Sequence, residues 1–391
     1  MSKTIADLLH DTLLEAGVER IWGVTGDSLN AFNDSLRRSG KIDWMHVRNE
    51  EAGAFAAGAE AAATGALAVC AGSCGPGNLH LINGLYDCHR NHVPVLAIAA
   101  HIPSSEIGLN YFQETHPTEL FRECSHFCEM VQDARQMPEL LHRAIRTAIG
   151  QRGVAVLVIP GDVALQRPRY ARRSFPALAT PRLVPDEAAL RQVADLVDGS
   201  KAVTLLCGSG TAGAHDEVVA LAAALNAPIV HAYRGKEWIE YDNPYDVGMT
   251  GLIGFSSGYH AMMECDTLLM LGTDFPYRNF YPEKARVVQV DRDPGALGRR
   301  VPLDLGVVAD VREFAQRLTP LVRPGRDDRF LQRRARTTAT RARASTISPP
   351  RVTAKSRFTR NSSPRRSTGS PPRMRSLPPM SARPQSGRRA I

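Results

Sequence analysis

Short apolar runs and longer helical stretches alternate along residues 1–330 of the chain. Runs without polar alternation predict strands that are covered on both faces, as in parallel sheets. The predicted strands of the first half are residues 21–24, 44–47, 67–70, 95–98 and 154–159. Those of the second half are residues 203–207, 228–230, 267–271, 287–290 and 305–308, followed by a helix at 311–318. The alternation is typical of α/β folds with parallel sheets.

A break in this pattern predicts two domains. Residues 167–185 are rich in Pro, Arg and Ala, which is typical of a linker. We therefore predict one α/β domain at residues 1–166 and a second at residues 186–328. Each is long enough to bury its own core.

The last part of the chain has a different composition. Residues 331–391 contain 15 Arg, one Lys, ten Ser and eight Pro but no Asp or Glu, and they show no apolar periodicity. We predict that residues 329–391 form a disordered tail, because such a segment cannot bury enough surface to offset its ordering entropy. Two origins stay open. The tail is either a basic arm for nucleic acid or anionic membrane or, as we favour, an out-of-frame translation of a GC-rich gene.

The tail also accounts for the positive charge of the chain. The whole chain has 48 Lys and Arg against 40 Asp and Glu, a net charge of +8. Without the 16 basic residues of the tail, 32 basic and 40 acidic residues remain, a net charge of −8. The basic isoelectric point is therefore no evidence for a nucleic-acid surface on the predicted domains, and we predict no nucleic-acid partner.

Cysteine spacing and the length of apolar runs bear on the compartment. All seven Cys precede the tail, and the pairs 70/74 and 124/128 have C-x3-C spacing rather than the C-x2-C of many zinc sites. We expect reduced packing cysteines and no metal site. The N-terminus lacks the apolar core of a signal peptide, and no apolar run reaches about 20 residues. We therefore predict a cytoplasmic protein.

Four local features of the first predicted domain are candidates for chemistry. Gly26-Asp27-Ser28 follows a strand and opens a helix that Ser28 or Asp27 would cap. Glu50 precedes an Ala-rich helix at residues 51–66, and a Gly-rich loop at 72–78 and the stretch Phe112-Gln113-Glu114 follow. Singly, each has an ordinary interpretation: an acid suits a helix N-terminus, a Gly-rich turn is often only geometry, and a Phe packs in a core.

Together and in this order, the features resemble the pyrimidine-binding domain of thiamine-diphosphate enzymes, most closely in the pyruvate oxidase and pyruvate dehydrogenase (quinone) branch. The resembling segments are residues 21–30, 50–58, 72–78, 83–90, 101–108 and 112–117. The resemblance implies that Glu50, Phe112 and Gln113 are catalytic. It implies contact with thiamine diphosphate for six residues: Gly26, Asp27, Ser28, Glu50, Gly75 and Asn78.

The resemblance gives Glu50 a specific role. In this family the glutamate hydrogen-bonds the aminopyrimidine ring of the cofactor and promotes its activation. The positions of Phe112 and Gln113 line the substrate side of the pocket. The family commonly has His before this glutamate, whereas this chain has Asn49.

The second predicted domain resembles the central domain of the same enzymes, which holds FAD in this branch. The implied flavin-binding residues are Gly251, Leu252, Ile253, Gly254, Asp274, Phe275, Pro276, Tyr277, Arg278, Asp291 and Arg292. The glycines would let backbone approach a dinucleotide, Arg278 would pair with phosphate, and Asp291 follows a strand as a ribose-binding acid does. A G-x-G at residues 208–210 is weak evidence. The domain could also keep the fold and have lost the flavin.

The resemblance implies an oxidoreductase that decarboxylates pyruvate to acetate and passes the electrons to quinone. Such enzymes are dimers or tetramers, peripheral to the inner face of the cell membrane. A third domain of the family binds the diphosphate and Mg2+ through a Gly-Asp-Gly motif, and a C-terminal segment binds the membrane. The 391 residues contain no Gly-Asp-Gly, and the tail has no carboxylate for Mg2+. We therefore expect the chain to lack the Mg2+ ligands and the membrane segment and to be inactive alone.

Two alternatives to this function stay open from the sequence. The chain could be a non-catalytic remnant that binds FAD. It could also be an acetolactate-synthase-like enzyme that acts on another 2-keto acid.

Overall fold

The computed structural model describes residues 3–167, 174–176, 181–323 and 327–335. The chain forms two compact units, which divide between Arg182 and Leu183. This division lies inside the linker that we predicted at residues 167–185.

The first unit is a six-stranded parallel sheet with helices on both faces. Its helices are α1 (Ile5–Glu15), α2 (Asn30–Ser39), α3 (Glu50–Thr64), α4 (Pro76–Arg90), α5 (Pro117–Leu120), α6 (Met137–Gly150) and α7 (Gly161–Leu165). Its strands are β1 (Arg20–Gly23), β2 (Asp43–His46), β3 (Ala68–Gly72), β4 (Val95–His101), β5 (Phe127–Met130) and β6 (Val154–Pro160). The strand order is β2-β1-β3-β4-β6-β5, and every pair is parallel.

The core of the first unit lies on both sides of this sheet. Successive residues of β3 face opposite sides: Val69 joins the apolar cluster with α1, α2 and α6, and Cys70 joins the cluster with α3 and α4. Every residue of β3, β4 and β6 is buried. This double coverage explains why these strands have continuous apolar sequences.

Helices α3 and α4 pack unusually closely because small residues line their contact. A Cβ at Gly84 would lie 2.5 Å from the Cβ of Ala54, and a Cβ at Gly58 would lie 2.7 Å from Sγ of Cys88. The pairs 54/84 and 58/88 advance by four residues on both helices, so the two helices run parallel. Since both follow parallel strands, their N-termini meet at the carboxyl edge of the sheet.

The second unit is also a six-stranded parallel sheet. Its helices are α8 (Glu187–Asp198), α9 (His215–Leu225), α10 (Lys236–Ile239), α11 (Ser256–Met263) and α12 (Val311–Leu318). Its strands are β7 (Val203–Cys207), β8 (Ile229–His231), β9 (Asp246–Met249), β10 (Thr267–Leu271), β11 (Arg286–Asp291) and β12 (Leu305–Val308). The order is β12-β11-β10-β7-β8-β9, and every pair is parallel. The predicted pair of parallel-sheet α/β domains is therefore confirmed.

Each predicted strand overlaps an observed strand, and the helix predicted at 311–318 has those bounds. Two strands were missed, β5 and β9, and both lie at the edge of a sheet. In β5 only Phe127 is buried, so the strand lacks a continuous apolar run. In β9, Gly248 has a φ of +94° and the pairing with β8 shifts register, so the strand is irregular.

The start of the predicted disordered tail is ordered, which corrects one prediction. We predicted disorder from residue 329, yet residues 329–335 are helical. Phe330 is buried in the apolar cluster of α11, and the Arg334 guanidinium pairs with Glu264 at 3.1 and 3.0 Å. These residues therefore pack on the second unit. The remainder of the predicted tail, 336–391, lies outside the described residues. None of the described helices is both long and apolar enough to span a membrane.

Candidate functional site

Glu50 is the first residue of α3 and is buried, with 7% of its surface exposed. The side chain of Asn49 already caps the helix by accepting a hydrogen bond from Glu51 N at 2.8 Å. Oε2 of Glu50 lies 3.1 Å from Nδ1 of His80 on α4. Because capping is done by Asn49, the buried carboxylate of Glu50 is not explained by helix capping.

The Gly-rich loop between β3 and α4 runs beside this carboxylate. A Cβ at Gly77 would lie 3.1 Å from Oε1 of Glu50. Gly75 has a φ of +64°. Its missing side chain leaves room for Gln113, because a Cβ built on Gly75 would lie 3.1 Å from the Cβ of Gln113. Both glycines thus permit close contacts that larger residues would prevent. The structure brings Glu50, Gly75 and Gln113 to the same edge of the sheet.

The loop after β1 joins this group through hydroxyl contacts. Oγ of Ser28 lies 2.9 Å from Oγ of Ser73 and accepts a hydrogen bond from Cys74 N at 3.0 Å. A Cβ at Gly26 would lie 2.3 Å from Oγ of Ser73. The suggestion that Ser28 or Asp27 caps the following helix is wrong, because neither side chain caps that helix. Ser28 instead ties the β1 loop to the Gly-rich loop.

The segment with Phe112 and Gln113 is fixed from two sides. Sγ of Cys74 donates a hydrogen bond to Oε1 of Gln113 at 3.2 Å. The carboxylate of Glu114 accepts hydrogen bonds from Gly108 N and Tyr111 N at 2.5 and 3.2 Å, and these backbone contacts lower its pKa. The ring of Phe112 remains 79% exposed. The loop is thus well anchored, with Phe112 presented to solvent.

Asn78 and His101 add polar atoms at the same edge. Asn78, in the first turn of α4, is fully buried and donates from Nδ2 to the carbonyl of Ala100 at 2.8 Å. Its Oδ1 and Nδ1 of His101 are buried without a hydrogen-bond partner among the described residues. Burial lowers the pKa of His101. Sequence reasoning missed His80, Ser73, Cys74 and His101 as site residues, although the last three lie in segments that carry the resemblance.

The second unit presents the predicted flavin-binding loop as an exposed apolar surface. Gly251 has a φ of +109°, and a Cβ there would lie 3.1 Å from the ring of Phe275. The next two side chains, Leu252 and Ile253, are 72% and 68% exposed. Gly254 turns back on the loop, where a Cβ would lie 2.6 Å from the carbonyl oxygen of Met249. Both glycines are therefore needed by the loop itself.

Several predicted charged residues have partners within the unit. Asp274 accepts hydrogen bonds from Nε and Nη2 of Arg300 at 2.7 and 2.8 Å and from Nη1 of Arg299 at 3.1 Å. Arg278 donates to the carbonyl of Arg299 at 3.3 Å. The segment also exposes Pro276 and Tyr277.

The predicted charged residues at the end of β11 also have partners within the unit. Nε of Arg292 lies 2.9 Å from Asp310, and Asp291 accepts a hydrogen bond from Asp293 N at 3.0 Å. The G-x-G at 208–210 has a packing role: a Cβ at Gly208 would lie 2.4 Å from Gly272 O, and one at Gly210 would lie 2.6 Å from Gly272 Cα. This motif is explained by backbone contact without any phosphate.

No metal centre is evident in the part of the chain that the structure describes. Its His, Cys, Asp and Glu side chains nowhere gather in a group of three or more that could hold an ion. All seven cysteines are free thiols; Cys128 is partly exposed, and the other six are buried. Burial raises the pKa of Cys88 and Cys128 to about 12, so these thiols stay protonated at neutral pH.

Comparison with known proteins now adds to this geometry. Two family models match: the N-terminal TPP-binding domain of thiamine pyrophosphate enzymes over residues 3–120 and their central domain over residues 190–318. The chain belongs to the thiamine pyrophosphate enzyme family. Its Glu50, Gly-rich loop and Gln113 lie within the stretch that the N-terminal model covers.

Three relatives are similar to this chain over most of its length. An uncharacterized 42.6 kDa protein in the isoamylase 3' region of Pseudomonas amyloderamosa is 64% identical over 329 residues, 84% of this chain and 83% of that protein. A putative thiamine pyrophosphate-containing protein, YdaP of Bacillus subtilis, is 37% identical over 84% of this chain and 58% of its own. Pyruvate oxidase of Lactiplantibacillus plantarum is 31% identical over 77% and 51%. The chain thus spans little more than half the length of the latter two proteins.

Proposed function

We propose that the chain carries the pyrimidine-side and flavin-side parts of a 2-keto acid enzyme of the pyruvate oxidase type. Such an enzyme decarboxylates pyruvate to acetate on thiamine diphosphate and passes the electrons through FAD to quinone. The observation that carries the proposal is the buried Glu50 carboxylate, which lies beside Gly77 of the Gly-rich loop and 3.1 Å from His80. The match to a relative named pyruvate oxidase supports it.

The residues at the carboxyl edge of the first sheet fit an aminopyrimidine ring. Thiamine diphosphate, when bound, supplies a carbon nucleophile and an electron sink for decarboxylation. Glu50 would hold a proton between its carboxylate and a ring nitrogen, and burial strengthens that hydrogen bond. His80 would orient the carboxylate, and Gly75 and Gly77 would leave room for the ring.

The second unit fits a flavin less completely. Leu252, Ile253 and Tyr277 offer apolar surface on which a planar ring system could lie, and Arg278 is exposed and within the same segment. Asp274 is already paired with Arg300, so its proposed contact with FAD would require that pair to open or to be shared. No residue is assigned to the diphosphate or to Mg2+.

The test is a pair of carboxylate substitutions at the start of α3. Glu50→Gln and Glu51→Gln each remove one negative charge there, but Glu51 is partly exposed and accepts a hydrogen bond from Nδ2 of Asn83 at 2.6 Å. In the full chain, the affinity for thiamine diphosphate, measured by isothermal titration calorimetry, should fall at least about tenfold for Glu50→Gln, because a charge-assisted hydrogen bond to the ring is lost. Glu51→Gln should retain the affinity within about threefold. Equal affinities for the two variants would contradict the role of Glu50.

A second candidate is a non-catalytic FAD-binding protein, supported by the exposed apolar side chains of Leu252 and Ile253 in the second unit. In that case the purified chain binds FAD, yet pyruvate does not reduce the flavin under any cofactor condition. Consumption of pyruvate without flavin reduction would instead favour an acetolactate-synthase-like reaction. Sedimentation analysis of the same samples tests the expected dimer or tetramer.

A further inference from the structure

A buried acid–base cluster lies between strands β8 and β9 of the second unit. His231 on β8 is fully buried, and its Nε2 lies 3.2 Å from Oε2 of Glu240 and 3.5 Å from Oδ1 of Asp246. Neither contact is well directed, since Nδ1 and Nε2 of His231 and Oδ1 of Asp246 lack a hydrogen-bond partner among the described residues. Buried groups without partners are costly, which makes a shared proton favourable here.

The charges around the cluster balance only when it holds one extra proton. Nζ of Lys236 on α10 pairs with Glu240, leaving Asp246 as the unneutralised carboxylate beside a neutral His231. Cys207 on β7 also faces Asp246, but burial raises its pKa and keeps it neutral. Helix α11 packs on β8 and β9 and carries one further imidazole ring, that of His260. That ring lies 3.3 Å from Glu264 and is not part of the cluster. The cluster therefore carries one buried negative charge without the proton and none with it.

Strand β9 connects this cluster to the loop at residues 250–254. Asp246 is its first residue, and the register shift at Gly248 leaves it irregularly paired with β8. Thr250 N donates to the carbonyl of His231 at 3.1 Å, and Phe255 N donates to Met249 O at 2.7 Å. An edge strand with few regular contacts depends more than a central strand on such local bonds.

We propose that Asp246 and His231 share one proton, and that this proton holds β9 and the 250–254 loop in place. Loss of the proton to solvent leaves Asp246 charged and facing Glu240, and the edge strand then opens more often. An effect of this proton on FAD binding rests on the proposed flavin role. Its effect on the order of the loop is independent of any cofactor.

The titration of these groups agrees with the geometry. Burial raises the pKa of Asp246 to about 7, and the negative charge of Glu240 acts in the same direction. A backbone hydrogen bond from Gly248 opposes this rise. Burial lowers the pKa of His231, so this ring does not hold the proton alone. An acid whose pKa is raised by folding stabilises the fold below its ordinary pKa and loses that contribution as the pH rises through about 7. The loop should therefore be held more firmly at mildly acidic than at alkaline pH.

The test is hydrogen exchange of residues 247–255 in the full chain without flavin, from about pH 5.5 to about pH 8. Asp246→Asn removes the titrating group and keeps its shape, and Asp242→Asn, at an exposed position of the same segment, is the matched control. The ratio of exchange rates, wild type over Asp246→Asn, should rise at least about tenfold across this range, since each pKa unit corresponds to a factor of ten. The ratio for Asp242→Asn should stay constant.

A ratio for Asp246→Asn that does not change with pH would overturn the proposal. If that variant does not fold, the His231 ring signal of the wild-type chain, assigned by its loss in His231→Gln, must shift with a midpoint near pH 7 in carbon NMR. No shift there would also overturn the proposal. An FAD titration of the wild type separates the two hypotheses: absence of flavin binding at every pH sinks the flavin role and leaves the exchange result intact.

Discussion

Buried polar atoms of the first unit keep unused hydrogen-bonding capacity, whereas charged residues at the candidate flavin site of the second unit are paired with one another. In the first unit, Oδ1 of Asn78 and Nδ1 of His101 have no partner among the described residues, and the polar partner of the Glu50 carboxylate there is the partly exposed His80. In the second, Asp274 is held by two arginines. The two sheets have the same strand count and parallel pairing, so the difference comes from side chains at the carboxyl edge.

The difference has a functional meaning. Partnerless buried polar atoms cost free energy unless a ligand, a water or a shared proton satisfies them, and those at the carboxyl edge of the first sheet favour a ligand there. Paired charges have already been satisfied, and a ligand must compete for them. The first unit is therefore the better-defined half of the proposed site, and the second offers mainly apolar surface at Leu252 and Ile253.

The largest expected effect concerns the helix contact that supports Glu50. Gly84→Ala would place a Cβ 2.5 Å from Ala54 Cβ and 2.9 Å from Glu51 O. We expect the free energy of unfolding to fall by about 3 kcal/mol, since overpacking forces the helices apart. Gly150→Ala, at the end of α6 with open space around it, should be neutral or slightly stabilising. Urea unfolding followed by circular dichroism measures both. Equal losses would show that the α3–α4 contact is not tight.

A second prediction separates the units by their response to acid. Burial opposes ionisation of Asp7, but hydrogen bonds from Thr4, Ser35 and Arg38 outweigh it and lower its pKa well below the usual value. This contribution is present above the ordinary carboxyl pKa and is lost as the pH falls through the lowered one. The first unit should thus lose stability in acid, whereas Asp246 makes the second unit lose stability as the pH rises from the ordinary carboxyl pKa through about 7.

The matching substitution is Asp7→Asn, which should lower the free energy of unfolding of the first unit by about 2 kcal/mol at neutral pH. Asp34→Asn, on the exposed face of α2, should have no measurable effect. Replacing Trp238, the single Trp of the second unit's sequence, makes Trp fluorescence report the first unit alone. If Asp7→Asn and the wild type unfold over the same acidic pH range, Asp7 has no stabilising role.

A third prediction tests whether the charges of the second unit serve structure or flavin. Arg300→Gln and Asp274→Asn should each lower the free energy of unfolding by about 1 kcal/mol, and the double variant should lose less than the sum. Thermal unfolding gives these values, and a FAD titration gives the affinities. If Asp274→Asn weakens FAD binding far more than Arg300→Gln does, the carboxylate contacts the flavin, and the contrast between the units disappears.

The smallest expected effect concerns Cys74. Cys74→Ala removes a weak hydrogen bond to Gln113, so the free energy of unfolding should fall by less than about 1 kcal/mol. Hydrogen exchange in residues 108–114 should nevertheless become faster, because Gln113 loses its anchor. Cys265→Ala, a buried thiol of the second unit, should leave that segment unchanged. Unchanged exchange in both variants would show that Glu114 alone holds the loop.

The fold was largely predictable because central strands of a parallel sheet are buried on both faces. The run 203–207 is apolar except for Thr204, whose hydroxyl bonds to Ala261 O, and its bounds were predicted without error. Edge strands lack this signal: β5 has Glu129 exposed, and β9 contains Gly248 with positive φ. Their pairing is decided by tertiary contacts that no local window contains.

The candidate site was predictable only through the resemblance. Glu50, Gly75 and Gln113 lie far apart in sequence, and nothing in their spacing shows that they meet. The contact between His80 and Glu50 crosses 30 positions and was not foreseen. Local reasoning failed for Ser28, because a Ser at a loop–helix junction usually caps, yet here the neighbouring Ser73 lies within hydrogen-bond distance of its hydroxyl. The exposure of Phe112 is likewise a property of the folded loop.

The close approach of α3 and α4 limits how this chain can drift in evolution. Positions 54 and 84, and positions 58 and 88, share a space that holds about one side chain between them. An increase in volume at one member would be tolerated only after a decrease at the other. Among related sequences these pairs should therefore co-vary in size, and a glycine lost from one helix should reappear on its neighbour.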